Sequence, residues 1–187
     1  MESAQAYDQG VLYFFGSLNR PWLEPVVRAV ALLGCPWTLA GVVVALAGLY
    51  AWLRRWRSAV VLVGIACGAA VLQLGVARFV DRPRPDVNWR TVDLPASPGF
   101  PDGRALGAVA VYLGGALLAR RFIAVGAVVA LLVGLSRPYL GVAYPVDVLA
   151  GWVGGLICAF VGSACAGRGY APLEELLGSD NSSHRVM

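Results

Sequence analysis

The fold is decided by residues 77–105, ARFVDRPRPDVNWRTVDLPASPGFPDGRA, and by residues 136–147, SRPYLGVAYPVD. The arginines of these two stretches stand at the ends of apolar segments that are long enough to enter a membrane. Charged side chains are costly in such places, and where they occur they usually serve a function. We therefore expect the two polar stretches to form the functional face of the protein.

The composition is that of an integral membrane protein. Of the 187 residues, 58% are hydrophobic and only 14% are charged, whereas a soluble domain has about 25% charged residues. The net charge of +4 comes from fifteen arginines and no lysine, which is unlike the mobile basic tails that wrap nucleic acids. Nucleic acid is therefore not an expected partner. The four cysteines form no C-x-x-C pair, and we expect no metal and no cofactor.

Five uncharged segments predict five membrane spans. Ala29 to Leu53 has 25 residues, and Ser58 to Ala77 and Val148 to Gly167 have 20 each, which matches the roughly 20 helical residues that cross a hydrocarbon core. Ala105 to Ala119 and Phe122 to Ser136 have 15 each, so each spans only if a flanking arginine reaches the membrane edge. The predicted fold class is all-α, a polytopic transmembrane helical bundle with about five spans.

The two ends of the chain depart from this pattern. Tyr7 to Arg28 mixes large apolar residues with charged ones, which favours an N-terminal helix lying in the membrane interface; a sixth span is the alternative. Residues 168–187 are polar, and we predict that this tail is disordered. The sequence thus predicts one integral membrane domain over residues 1–167, with the functional face in residues 77–147.

Glycines four residues apart recur in the apolar segments. This spacing is typical of helices that pack closely in membranes. It predicts close helix contacts at three pairs: Gly64 and Gly68, Gly103 and Gly107, and Gly151 and Gly155.

Alternation of the spans puts both polar stretches on the same side of the membrane. Prolines hold Arg82 and Arg84 on a stiff backbone, and guanidinium groups in a fixed geometry match the oxygens of a phosphate. Arg137, from a different helix end, would close the same pocket. The pattern predicts an anion site for which a lipid phosphate headgroup is the natural ligand. The alternative is that the arginines anchor helix ends or pair with acidic neighbours, namely Asp81, Asp86, Asp93 and Asp102.

Both polar stretches resemble the type 2 phosphatidic acid phosphatase (PAP2) superfamily, which includes the vanadium haloperoxidases. That family has three motifs, K-x6-RP, PSGH and SR-x5-H-x3-D, which align here with ARFVDRPRP, PDGR and SRPYLGVAYPVD. The positions that agree with the motifs are Arg84, Pro85, Pro101, Gly103, Ser136, Arg137 and Asp147. Four positions depart: Ala77 replaces the lysine, Asp102 replaces the serine, and Arg104 and Ala143 replace the two histidines.

The resemblance implies a phosphate pocket at the outer surface of the cell membrane, so that the motif face is extracytoplasmic. In active relatives the third-motif histidine attacks phosphorus, the aspartate orients it, and the second-motif histidine protonates the leaving group. The resemblance assigns phosphate binding to Arg84, Gly103 and Arg137. Asp147 is retained, but the histidine that it would orient is absent. Further candidates for phosphate binding are Arg78, Arg82 and Arg104.

The motif face contains no histidine that could carry out the phosphoryl transfer of the active relatives. The single histidine, His184, belongs to the tail and is predicted on the opposite side of the membrane. Losing a nucleophile costs on the order of 10⁶ in rate, so we expect a pseudoenzyme. Asp102 is a conceivable carboxylate nucleophile, but pairing with Arg84, Arg137 or Arg104 is the simpler role for it. Asp147 would likewise pair with Arg137 or cap a helix.

The sequence therefore favours a hydrolase-like membrane protein that is catalytically impaired and binds lipid phosphates. The first alternative is a working phosphatase, acting on phosphatidate or polyprenyl diphosphate through a rearranged site. The second is a structural or assembly subunit in which all of these arginines are paired internally. The oligomeric state is left open by the sequence.

Overall fold

The computed structural model describes residues 2–80, 82–90, 92 and 99–166, with side chains from residue 8 onward. It contains seven helices in this part of the chain and no strand, which confirms the predicted all-α class. The helices are α1 (Glu2–Ser17), α2 (Glu24–Leu33), α3 (Pro36–Trp52), α4 (Trp56–Ala77), α5 (Gly103–Ala119), α6 (Ile123–Tyr139) and α7 (Pro145–Cys165).

Helix α5 is the centre of the bundle. It packs against α4, α6 and α7, and Ala105, Ala108, Ala110 and Leu118 along it are completely buried. Its middle turn, Val109–Leu113, is a π-helix. The outward faces of the surrounding helices carry exposed large apolar side chains, Trp37 being 86% exposed. An apolar exterior around an apolar core suits a helical bundle embedded in lipid.

Two helices, α4 and α7, are each long and apolar enough to cross a membrane. Helices α2 and α3 meet this condition together, but they are bent by 52°. The predicted continuous span from Ala29 to Leu53 is therefore broken: Cys35 has an extended backbone, and Pro36, which lacks an N–H group, begins α3. Helices α5 and α6 are apolar but shorter. The described residues thus hold two or three candidate spans, and the count of five stays a prediction.

The N-terminal segment is not the single helix that was predicted from Tyr7 to Arg28. Helix α1 ends at Ser17 and α2 begins at Glu24. Pro21 lies between them, and Pro25 is in the first turn of α2, where its missing N–H group is tolerated. Helix α1 packs on α6 and α7 and buries Asp8. The predicted disordered tail, including His184, lies outside the described residues.

The two ends of the bundle differ in character. At one end, Tyr50 donates a hydrogen bond to the carbonyl of Gly115 (2.6 Å) and Arg55 donates one to the carbonyl of Leu118 (3.0 Å), which ties α3 and the α3–α4 connection to α5. The opposite end contains residues 82–90, the start of α5 and the start of α7. This arrangement is the one that alternation of the spans predicts.

The predicted glycine contacts are found at two of the three pairs. A Cβ atom added to Gly155 would lie 2.6 Å from the backbone oxygen of Leu106, and one added to Gly151 would lie 2.6 Å from that of Asp102. Helix α7 therefore reaches the backbone of α5 only because these positions are glycine. Gly103 and Gly107 also face close neighbours, whereas Gly64 and Gly68 have no described atom within 4 Å. The packing prediction is wrong for that last pair.

Candidate functional site

A buried ion pair between Asp102 and Arg137 lies at the centre of the motif face. The Nε atom of Arg137 donates to the two carboxylate oxygens of Asp102 at 3.1 and 3.3 Å. Each residue is only 1% exposed. Of the three partners that the sequence left open for Asp102, the structure selects Arg137. The carboxylate thus occupies the side of this guanidinium that an external anion would otherwise bind.

Local structure fixes the position of Asp102. It is the N-cap of α5, and its side chain accepts a hydrogen bond from the backbone N–H of Ala105 (2.9 Å). Its own backbone N–H donates to the carbonyl of Asp147 (3.0 Å), which joins the start of α5 to the start of α7. Aspartate is among the preferred N-cap residues, so a departure from the family motif is also a good helix start.

A second ionic cluster lies beside this pair and is organised around Arg82. The two terminal nitrogens of Arg82 bind Asp8 and Asp147, each at 2.5 Å. Its guanidinium also lies 4.5 Å from the centre of the Tyr144 ring, within the range of a cation–π contact. Burial lowers the pKa of Arg82, but the hydrogen bonds and charges of Asp8 and Asp147 outweigh it and raise the pKa overall. For Asp147 the sequence left open pairing with Arg137 or capping of a helix. The described residues show neither role, because one carboxylate oxygen binds Arg82 and the other has no described hydrogen-bond partner.

Asp8 brings the N-terminal helix into the site. Its second oxygen accepts a hydrogen bond from the backbone N–H of Val146 (3.1 Å), in the first turn of α7. The N-cap residue of α7, Tyr144, makes no side-chain cap, so Asp8 supplies the capping oxygen from α1. This role was missed from the sequence. The available signal was a carboxylate inside an apolar segment, but sequence spacing does not relate α1 to α7.

Arg84 lies between the two clusters. It donates a hydrogen bond to the carbonyl of Val142 (2.7 Å), in the loop that precedes α7. Burial lowers the pKa of Arg84; the charge of Asp102 opposes this effect, and the charge of Arg137 adds to it. Arginine remains protonated in proteins. Burial is the largest cause of the lowered pKa, and charges of both signs surround Arg84.

Ala143, to which the resemblance assigns the third-motif histidine, lies at a closed position. Ala143 is 0% exposed and packs with Ala105, Val148 and Trp152. Alanine is small enough to let α5 approach the loop, whereas a larger ring at this position would have to displace these neighbours.

A lateral cleft opens next to the ion pair. It has a volume of about 620 Å³, within the range of small-molecule sites. Apolar residues of α3, α4 and α5, among them Leu39, Ala70 and Val111, form its walls. The polar end of the cleft is formed by Arg84, Asp102, Gly103, Arg104, Arg137 and Gln73.

Arg104 is the principal cation of this polar end. The described residues give it no hydrogen bond and no ion pair, although its side chain is half-buried. The Nη2 atom of Arg137 is also buried and has no hydrogen-bond partner among the described residues. Four charged side chains, three positive and one negative, therefore meet at the end of an apolar cleft.

The structure gathers most of the predicted residues but not all of them. Arg82, Arg84, Gly103, Arg104, Arg137 and Asp147 lie at one end of the bundle together with Asp102. Arg78, the C-cap residue of α4, is exposed, and its side chain makes no hydrogen bond or ion pair with them in the described part of the chain. Asp86 is exposed and pairs with Arg90. Asp81 and Asp93 lie outside the described residues. Gln73, which lines the cleft and contacts Gly103, was not singled out from the sequence.

Comparison with known proteins gives consistent matches. The family model described as the PAP2 superfamily matches residues 57–169. Phosphatidylglycerophosphatase B of Bacillus subtilis (strain 168) is 26% identical over 171 residues, covering 85% of this chain and 83% of that protein.

Two solved structures share the fold. The crystal structure of the first transmembrane PAP2 type phosphatidylglycerolphosphate phosphatase from Bacillus subtilis has a TM-score of 0.81 and 26% identity, covering 88% of this chain and 87% of that one. LpxE of Aquifex aeolicus has a TM-score of 0.66 and 23% identity, covering 82% of this chain and 93% of that one.

Proposed function

The chain belongs to the PAP2 superfamily, and on that premise we propose that it binds membrane lipids carrying a phosphate group without hydrolysing them. The observation that carries this proposal is the cleft between α3, α4 and α5. Its apolar walls suit acyl chains, and its end presents Arg84 and Arg104 with one side of Arg137. The Bacillus subtilis relative is named for a lipid phosphate, which supports the same ligand class. We place the protein in the cell membrane with this face extracytoplasmic.

Three features support impaired catalysis. Ala143 has no nucleophilic atom, and its buried position leaves an imidazole no open space. Arg104 remains protonated, so it cannot act as the acid that the second-motif histidine provides. Asp102, the conceivable substitute nucleophile, has both oxygens engaged by Arg137 and one of them also by the N–H of Ala105. An engaged, buried carboxylate is a poor nucleophile because attack would require its ion pair to break.

The phosphate position in this proposal differs from the one that the sequence suggested. Because Asp102 already occupies the Nε side of Arg137, the ligand phosphate lies at Arg104, with Arg84 at its edge together with the Nη2 atom of Arg137, which has no partner among the described residues. Charge-assisted hydrogen bonds contribute about 1.5–3 kcal/mol each. Loss of the Arg104 charge should therefore weaken binding by about 10- to 100-fold.

Binding of short-chain lipids to the detergent-solubilised protein tests the proposal. We expect isothermal titration calorimetry to show binding of dihexanoyl phosphatidate and weaker binding of dihexanoyl phosphatidylcholine. Arg104→Gln should weaken phosphatidate binding by at least about 10-fold, in line with the energy above. Arg57→Gln, which removes an exposed arginine from the opposite end, is the matched control and should bind like the unaltered chain. Equal binding of both lipids, or equal effects of both substitutions, would refute the proposal.

A second candidate is a non-catalytic structural or assembly subunit. It is favoured by the internal pairing of Arg82 with Asp8 and Asp147 and of Arg137 with Asp102. This candidate predicts that neither lipid binds measurably, so the same titration separates the two functions.

A further inference from the structure

Gln73 is a polar side chain in an apolar helix. From Ala59 to Ala77, helix α4 contains no other charged, amide or hydroxyl side chain. Gln73 lines the lateral cleft and is partly buried, and the described residues give its amide no hydrogen bond. A primary amide has two N–H donors and one carbonyl acceptor, and leaving them unpaired in an apolar setting costs free energy. The amide is therefore available to a ligand in the cleft.

The amide of Gln73 lies where the polar end of the cleft meets its apolar walls. A Cβ atom added to Gly103 would lie 2.4 Å from the amide nitrogen and 2.8 Å from the amide oxygen. The amide thus packs directly against Gly103, and the next residue of α5 is Arg104. On the other side of Gln73, about one turn earlier on α4, Ala70 forms part of the apolar wall. A ligand that fills the cleft passes Gln73 between its phosphate and its chains.

We propose that Gln73 is a specificity-determining residue that donates a hydrogen bond to an ester carbonyl oxygen of the bound lipid. The inference rests on the proposed function, because it needs a lipid whose phosphate lies at Arg104. In such a lipid the ester groups lie between the phosphate and the acyl chains, which is the place that Gln73 holds in the cleft. An ether-linked chain has no carbonyl oxygen, so the same lipid with ether linkages loses this hydrogen bond and binds more weakly.

The competing role for Gln73 is to hold α4 against α5, since amide side chains can form hydrogen bonds between helices in membranes. The described residues of α5 form no hydrogen bond with Gln73, and its contact with Gly103 is one of packing alone. Methionine has a similar length and flexibility but no amide. Gln73→Met therefore keeps the packing while it removes the hydrogen-bonding groups.

The experiment compares two short-chain lipids by isothermal titration calorimetry on the detergent-solubilised full chain. Dihexanoyl phosphatidate has two ester carbonyls, whereas its dihexyl ether analogue has the same phosphate and no carbonyl. We expect the ester lipid to bind the unaltered chain about 3- to 10-fold more tightly, as one net hydrogen bond between neutral groups implies. Gln73→Met should bring the affinity ratio close to one and leave the affinity for the ether lipid unchanged.

Two control variants separate recognition of the linkage from general effects. Gln9→Met changes an exposed glutamine of α1 that does not line the cleft, and it should keep the ratio of the unaltered chain. Arg104→Gln should weaken both lipids equally, because they share the phosphate.

Three results would overturn the role of Gln73. They are equal affinities of the two lipids for the unaltered chain, an unchanged ratio in Gln73→Met, and an equal loss of affinity for both lipids in Gln73→Met, which would show a structural role. Failure of both lipids to bind the unaltered chain would instead overturn the proposed function, and the role of Gln73 with it.

Discussion

Asp102→Asn provides the sharpest test of how the motif face is held together. Asparagine keeps an oxygen that can accept the hydrogen bond from the N–H of Ala105, but it no longer neutralises Arg137. Removing one partner of a buried ion pair costs about 3–5 kcal/mol, because the other charge stays buried without compensation. Asp102→Ala also removes the helix cap, which adds about 1 kcal/mol. We therefore expect the free energy of unfolding to fall by about 3–5 kcal/mol in Asp102→Asn and by about 4–6 kcal/mol in Asp102→Ala.

The assay is equilibrium unfolding in mixed micelles with increasing dodecyl sulfate, followed by tryptophan fluorescence. A double variant, Asp102→Asn with Arg137→Met, removes both charges and should recover most of the lost stability, since an apolar replacement of a buried pair is often neutral. Asp86→Asn is the control; its carboxylate is fully exposed in a pair with Arg90, and no measurable change is expected.

Inorganic phosphate adds a second readout to the same variant. With the carboxylate charge gone, the Nε side of Arg137 becomes available to an external anion. Phosphate should therefore raise the unfolding midpoint of Asp102→Asn more than that of the unaltered chain, because ligand binding to the folded state stabilises it. The reasoning is refuted if Asp102→Asn is as stable as the unaltered chain, or if phosphate stabilises both equally.

Two other predictions concern the contacts that join α7 to the rest of the bundle. Asp8→Ala removes a charged partner of Arg82 and the cap on Val146, so it should lower the free energy of unfolding by about 2 kcal/mol. Hydrogen exchange should become faster in the first turn of α7. Unchanged exchange there would contradict the capping role. Gly155→Ala places a methyl group against the backbone of α5 and should cost about 1–3 kcal/mol in the same unfolding assay. Gly64→Ala, which meets open space, should stabilise α4 by up to about 1 kcal/mol, and equal losses at the two positions would refute the packing argument.

Composition and charge spacing predicted the helical class, the membrane setting and the side on which the motifs meet. The prediction of continuous spans failed where a proline interrupts an apolar segment. The segment from Ala29 to Leu53 is uncharged throughout, yet Pro36 starts a new helix with a 52° bend. Hydropathy does not register such a bend, because the residues on both sides of it are equally apolar.

Within the site, the sequence indicated which residues would meet but not how they would pair. Asp102 had three arginine partners to choose from, and the choice of Arg137 depends on the exact end of α5. Arg82 binds Asp147 of α7 and also Asp8 of α1. The contact between Arg82 and Asp8 joins residues 74 positions apart in sequence, and no local pattern predicts it.

The central claim is that this PAP2-family chain holds a lipid phosphate and leaves it intact. Native mass spectrometry after prolonged incubation of the purified protein with dihexanoyl phosphatidate tests this claim directly, because intact lipid and its dephosphorylated product differ in mass. The account predicts a complex with the mass of intact phosphatidate, which Arg104→Gln weakens, and no conversion of the lipid in solution. Accumulation of dihexanoylglycerol that stops in the Arg137→Ala protein would contradict it and would show that the chain is a working phosphatase.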